Sequence, residues 1–248
     1  MCAARVALNR VLFNHRSLKP WVSTPHIPHT APLRARTAAA QGHGGDSFEA
    51  QLLYGGNLNS TTHLLWRDIV KPGDTVVDCT AGNGHDALYL AQLAVTATGG
   101  RLVAFDVQKS AVEATRARLQ FNLAPEALTR CEVRLECHSK LAEHVMPNSV
   151  SLVAFNLGYL PGVANSSAQN LITKPETTIA ALKATTEIVR AGGCISIMCY
   201  TGHEGGQQEA DAVQTLCAAL PAQRWTVTSL KLVNRQAAPH LILAFRRE

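Results

Sequence analysis

The seven cysteines of this 248-residue chain include no C-x-x-C pair and none of the cysteine–histidine spacings of a zinc finger. Cys2, Cys79, Cys131, Cys137, Cys194, Cys199 and Cys217 are scattered, and Cys79, Cys131, Cys194 and Cys199 lie in apolar, strand-like runs where a thiol packs as a small hydrophobe. This argues against a disulfide framework and a bound metal, and for a reducing compartment. A run of about 18 apolar residues is also missing, so no segment reads as a membrane span.

The first 45 residues lack Asp and Glu altogether, yet hold Arg5, Arg10, Arg16, Lys19, Arg34 and Arg36. No continuous apolar core follows the basic start, which excludes a secretory signal. Residues 1–45 read as an organellar transit peptide, chloroplast ahead of mitochondrion, and residues 46–248 as one α/β domain. A basic arm that binds nucleic acid is the alternative for the leader. The net charge of the whole chain is +5, and the leader supplies more than all of it. The alkaline balance is therefore no evidence that the remaining domain binds nucleic acid.

What the sequence does have is concentrated in Thr75–Asp86, TVVDCTAGNGHD, and Leu102–Gln108, LVAFDVQ. Each begins with a short apolar run that ends in a carboxylate, Asp78 or Asp106. The first opens into the turn Gly82-Asn83-Gly84 and then a helical pattern. A strand, a glycine turn, a helix and a second acid-tipped strand hold a nucleoside cofactor at the carboxyl ends of parallel strands. Gly82-x-Gly84-x-x-Ala87 also fits the loose dinucleotide fingerprint. Asp78, however, would repel a pyrophosphate and suits the cationic methionine half of S-adenosylmethionine. Asp106 can accept from ribose hydroxyls. A helix-start cap is the bland alternative for Asp78.

The rest of the pattern supports the same cofactor. Helices are expected over Asn57–Val70, Lys109–Leu123, Pro175–Arg190 and Gln207–Leu220, with another carrying the stripe Ala87, Leu88, Leu90, Ala91, Leu93 and Ala94. Strands are expected at Thr75–Cys79, Arg101–Asp106, Cys131–Cys137, Val150–Asn156 and Cys194–Tyr200, the last after an Ala191-Gly192-Gly193 turn. Arg224–Leu232 and Leu241–Phe245 leave no room for a helix between them and should form an antiparallel hairpin. The fold class expected is a Rossmann-like, seven-stranded class I S-adenosylmethionine-dependent methyltransferase fold with a C-terminal antiparallel hairpin.

Three segments follow strand tips where chemistry collects. Asn156-Leu157-Gly158-Tyr159-Leu160-Pro161-Gly162 offers Asn156 to hold a nucleophilic nitrogen and Tyr159 to stack on a base. A plain turn is the alternative. Leu157–Ile172 is longer than an ordinary connection. Thr173-Lys174-Pro175-Glu176 reads as a capping box with Pro175 in the first helical turn, and leaves Lys174 for a phosphate. Tyr200-Thr201-Gly202-His203-Glu204-Gly205-Gly206 places proton-active groups on a glycine-rich rim, where His203 can act as a base. Alternatively, Glu204 only favours a helix dipole. His85 and Asp86 orient the cofactor or cap a helix, and His138 and Ser139 fall where an adenine is held.

Taken together, DCTAGNGHDALYLA, AFDVQ, FNLGYLPG, TKPETT and GHEGGQQEADAV, in this order, resemble the bacterial proteins once described as rRNA methylases and assigned as tRNA 5-aminomethyl-2-thiouridine methyltransferases (the MnmM family). The resemblance runs from about Asn57 to the C-terminus. It implies transfer of a methyl group from S-adenosylmethionine to the exocyclic amine of 5-aminomethyl-(2-thio)uridine at the tRNA wobble position. The implied cofactor positions are Asp78, Gly82, Asn83, Gly84, Asp86, Asp106 and Gln108. The implied substrate side is Asn156, Tyr159, Lys174, Tyr200, His203 and Glu204. An anticodon stem-loop is then the partner, a homodimer stays open, and neither membrane nor metal is called for. An rRNA base methyltransferase, a small-molecule amine methyltransferase and a non-catalytic binding protein are the rival readings.

Overall fold

A computed structural model of the chain describes residues 58–158, 172–235 and 238–247. The leader and Tyr159 lie outside the described residues, as does most of the long segment after Asn156. In chain order the elements are α1 (Leu58–Ile69), β1 (Thr75–Asp78), α2 (His85–Ala94), β2 (Arg101–Asp106), α3 (Lys109–Asn122), the single turn α4 (Pro125–Leu128), β3 (Cys131–Leu135), a 3₁₀ helix (His138–Glu143), β4 (Val150–Leu157), α5 (Pro175–Ile188), β5 (Val189–Cys199), α6 (Gly206–Ala218), β6 (Trp225–Lys231) and β7 (His240–Arg246). Among the described residues no helix is long and apolar enough to cross a membrane.

The strands form one seven-stranded sheet in the order β3-β2-β1-β4-β5-β7-β6. β1 to β5 run parallel, and β7 lies antiparallel between β5 and β6. The expected hairpin therefore forms, and its second strand is the one that joins the parallel sheet.

Burial on both faces explains why the strands read as continuous apolar runs. Successive side chains point to opposite faces, so Val77, Val103, Phe105, Val153 and Phe155 pack in one core with α5 and α6. Val76, Leu102, Ala104, Leu152 and Ala154 pack in the other with α1, α2 and α3. Each fully buried Leu, Ile or Phe contributes roughly 1.5–3 kcal/mol.

Two local expectations are corrected. β5 starts at Val189 rather than Cys194, because Val150 pairs with Val189 and Leu152 with Cys194, and residues 190–193 bulge between them. The Ala191-Gly192-Gly193 segment is thus a bulge within a strand, made feasible by Gly192 at φ +73°. The capping box at Thr173–Glu176 does not form. Lys174 is the N-cap of α5 and makes no side-chain cap bond. Thr173 thus stands one residue before the cap position, and its Oγ1 donates to Glu209 Oε2 at 2.6 Å, a charge-assisted bond.

The order of the sheet reverses at β1, with β2 on one side and β4 on the other. There the crossovers leave to opposite faces and a crevice opens above the strand tips. Past Asp78 the backbone follows this split: Cys79 N donates to Ala154 O of β4, and Ala81 N donates to Phe105 O of β2, both at 2.9 Å.

Candidate functional site

Register puts the acidic and amide tips on one level. Asp78 pairs with Ala104 of β2 and Ala154 of β4, so Asp106 and Asn156 each stand two residues beyond it. Asn156 in turn pairs with Met198 of β5, with Tyr200 two residues on. The candidates were scattered in sequence, and parallel register collects them at one edge.

Gly84 closes the turn into α2. Its φ is +77°, and a Cβ there would sit 2.8 Å from Thr115 Cα, so only glycine fits. Thr115 Oγ1 donates to Gly82 O at 3.1 Å. Arg118 Nε donates to Asn83 O at 2.7 Å. Gly82 N donates to Asp106 Oδ2 at 2.9 Å and Gln108 N to Asp106 Oδ1 at 2.8 Å. The turn and the β2 carboxylate are thus held to each other through backbone groups, and each Asp106 oxygen keeps a lone pair for a hydroxyl.

Beneath the turn Asp78 is 1 % exposed. Burial, reinforced by the charges of Asp86 and Asp106, pushes its carboxyl up to about 8. Thr80 N donates to its Oδ1 at 3.1 Å, while Oδ2 has no partner. Two further buried atoms beside the turn share that condition, Gln108 Oε1 and His138 Nε2. His138 starts the 3₁₀ helix; its Nδ1–H donates to Cys79 O at 3.0 Å, and burial lowers its basicity. Ser139 Oγ donates to Cys137 Sγ at 3.2 Å. Buried polar atoms are normally paired, so three orphans around one glycine turn describe a cradle for a polar ligand.

The other half of the edge is built differently. Asn156 N donates to Thr80 Oγ1 at 2.7 Å, and Asn156 Nδ2 donates to Asp86 Oδ2. Asp86 Oδ1 faces His63 Nε2 of α1 at 2.7 Å. Asp86, expected on the cofactor side, therefore turns its carboxylate to Asn156 and α1. Tyr200 Oη and the Asn59 amide exchange hydrogen bonds at 3.2 and 3.3 Å. His203 Nδ1–H donates to Glu204 O at 2.9 Å, which makes Nε2 the lone-pair nitrogen of the neutral ring. That Nε2 lies 3.4 Å from the place a Gly158 Cβ would occupy, so His203 packs on the end of β4. Glu204 is exposed, as is Lys174 at the α5 N-cap. His85 is exposed too.

Two functional candidates escaped the sequence. Glu209 on α6 is 2 % exposed and accepts from Thr173 Oγ1 and Thr178 Oγ1 at 2.6 and 2.7 Å. It fixes the strand-side end of the segment that returns from β4, where Thr173 N also donates to Gly158 O at 3.0 Å. Its signal was present: Gly206, Glu209, Ala210, Val213 and Cys217 are the buried face of α6, and a carboxylate falls on that stripe. His63 is the other. Asn59, Thr62, His63 and Trp66, at helical spacing, line a small cavity that also touches Asp86 and Asn156.

A family model described as "Putative rRNA methylase" matches residues 102–246. A protein of Arabidopsis thaliana named tRNA (mnm(5)s(2)U34)-methyltransferase, chloroplastic, is 35 % identical over 230 residues, 91 % of this chain and 80 % of the relative. The chain belongs to this methyltransferase family. Among solved structures, an rRNA methylase so titled ("putative") from Clostridium thermocellum superposes on the methyltransferase with a TM-score of 0.70 at 30 % identity, covering 77 % of this chain and 97 % of that one. A "putative methyltransferase" from Streptococcus mutans, solved in complex with SAH, gives a TM-score of 0.65 at 29 % identity, covering 77 % and 98 %. The seven-stranded order is thus the class I methyltransferase fold expected from the strand pattern.

Proposed function

We propose that this methyltransferase uses S-adenosylmethionine to methylate the exocyclic amine of 5-aminomethyl-(2-thio)uridine at the tRNA wobble position, in a chloroplast. The observation that carries the reading is the meeting, at one sheet edge, of an unpaired acidic cradle with an amide and an imidazole. The name of the Arabidopsis relative supports the substrate and the organelle. The SAH-bound Streptococcus mutans structure supports the cofactor. The acid-free, basic composition of residues 1–45 supports a leader.

The residues present fit S-adenosylmethionine. Asp78 Oδ2 is a buried carboxylate oxygen without a partner, suited to an ammonium. The Gly82–Gly84 backbone admits close approach, Asp106 offers lone pairs to ribose hydroxyls, and Gln108, His138 and Ser139 border the adenine side. Three carboxylates lie here, and the charges of Asp86 and Asp106 help to raise the Asp78 carboxyl; together they would oppose the pyrophosphate of a dinucleotide. When bound, the cofactor supplies a methyl group already activated by its sulfonium.

What remains for the protein is position and a proton. Asn156 holds the amine, and His203 Nε2 takes the proton that an alkyl ammonium must lose before attack. Tyr159, by its place in the chain, is the candidate to stack on the base, with Tyr200 and Glu204 on the rim. Lys174 is an exposed cation for a phosphate. Alignment of nucleophile and methyl group supplies on the order of 7–11 kcal/mol.

The test is methyl transfer from labelled cofactor to total tRNA of bacteria that make the aminomethyl intermediate and lack the final methylase, read by nucleoside mass spectrometry. A one-methyl gain on 5-aminomethyl-2-thiouridine alone is expected. Cofactor binding without that gain would move the substrate to ribosomal RNA, the second reading, which the family description favours, or to a small amine. His203→Ala should lose turnover, least at alkaline pH, where the amine reaches the site already neutral; full turnover across the neutral range would remove its base role.

A further inference from the structure

His63 lies on α1, away from the strand tips, and is held from several sides. Tyr89 stacks on its ring, with centroids 4.2 Å apart and planes at 12°. Tyr89 Oη also donates to the His63 carbonyl at 3.0 Å. The Trp66 ring lies 5.1 Å from it. Its Nε2, 2.7 Å from Asp86 Oδ1, carries the proton of that pair, because an ionised carboxylate only accepts.

The second oxygen of Asp86 decides what Asn156 can do. It accepts from Asn156 Nδ2, and the flipped amide would set two acceptors against each other. Asn156 cannot swing as a whole, since its backbone N–H is held by Thr80 Oγ1. One amide N–H is therefore committed to Asp86, and the oxygen is turned away from that carboxylate. Without His63, the carboxylate would be tied through one oxygen and could rotate about its Cβ–Cγ bond.

We propose that His63, acting through Asp86, is a positioning residue that locks the Asn156 amide with its oxygen toward the substrate, and so reserves the β4 tip for a nitrogen that arrives with a hydrogen to donate. The inference rests on the reading that Asn156 meets the substrate amine. It deepens that reading, since a ring nitrogen or carbonyl oxygen, which only accepts, could not pair with the oxygen presented here. An amine donates through its hydrogen and keeps its lone pair for the methyl group.

The full chain, its H63F variant and its H63Q variant test this. Phenylalanine keeps the stacked ring and removes the donor; glutamine loses the stack and keeps a donor. In nitrogen-15-labelled protein the Asn156 side-chain amide signal, identified by its loss in N156A, is expected to shift in H63F and return toward its native position in H63Q. In the tRNA assay H63F should lower kcat roughly 10–100-fold, with the KM for S-adenosylmethionine and the melting temperature unchanged, and H63Q should recover most of it. An amide signal unmoved in H63F, or equal losses of kcat and melting temperature in both variants, would overturn the lock. If the native protein transfers no methyl group to the aminomethyl uridine, the substrate reading fails while the amide signal still decides the lock.

Discussion

The two halves of the strand-tip edge are made by different means. On the β1–β2 side, the held groups are backbone: Gly82 N and Gln108 N grip Asp106, Thr115 and Arg118 hold the carbonyls of the turn, and Gly84 fits against Thr115. Side-chain atoms there are left without partners. On the β4–β5 side the holding is done by side chains that gather from distant elements, His63 to Asp86 to Asn156 and Thr173 to Glu209. One half keeps polar capacity in reserve for a ligand of fixed shape. The other ties Asp86, Asn156 and Thr173 to side-chain partners and so fixes the direction in which a variable substrate is met.

The largest effect should come from the reserved half. Asp78→Asn removes the one charge that a cationic cofactor can meet beneath the turn, and should weaken S-adenosylmethionine binding about 100-fold by calorimetry. The same change should stabilise the ligand-free protein. With its carboxyl pushed up to about 8 by burial, native Asp78 keeps a proton between about pH 4 and 8 that the unfolded chain has released. More protons bound in the folded state means that stability falls as pH rises through that window, and levels above it. The variant should lose this slope. Cofactor affinity of the native protein should run the other way, rising with pH to about 8 as the proton that must leave becomes easier to remove.

Gly206→Ala strikes the committed half. A Cβ there would collide with the Tyr200 carbonyl oxygen and lie 2.9 Å from His203 Nε2. Thermal melting should register a loss of about 1–3 kcal/mol, and methyl transfer should fall while cofactor affinity stays within a few fold. Equal loss of both would mean that the two halves are one mechanical unit. Glu209→Ala should cost somewhat less, on the order of 1–2 kcal/mol, by stranding the Thr173 and Thr178 hydroxyls. Glu209→Gln, which keeps one acceptor, should cost under about 1 kcal/mol. For both, the KM for tRNA should move and that for the cofactor should not.

The same division explains what could be read from the chain. Strand runs, the Gly82-Asn83-Gly84 turn and the acid tips Asp78 and Asp106 are local features, because backbone geometry there is dictated by neighbours in sequence. Arg101–Asp106 was bounded correctly for that reason. Asn156 was recognisable only as a strand tip, and the direction of its amide depends on Asp86 and His63, far off in sequence. Thr173 looked like a cap because nothing nearby competes for it; the competitor, Glu209, arrives with α6. Residues whose partners come from another element are the ones local pattern misassigns.

The smallest change sharpens the comparison most. Tyr200→Phe removes one hydroxyl, whose visible bonds are the exchange with Asn59 at the partly exposed mouth of the site. Stability should change by about 0.5–1 kcal/mol or less, and cofactor affinity not at all, since nothing on the β1–β2 side touches the hydroxyl. If Tyr200 only ties α1 to the β5 tip, tRNA kinetics should follow the small stability change, and Asn59→Ala should reproduce them. If the hydroxyl meets the substrate, the KM for tRNA should rise in Tyr200→Phe well beyond the effect of Asn59→Ala. That pair of variants separates a group spent on the frame from a group held for the ligand, which is the distinction between the two halves reduced to one oxygen atom.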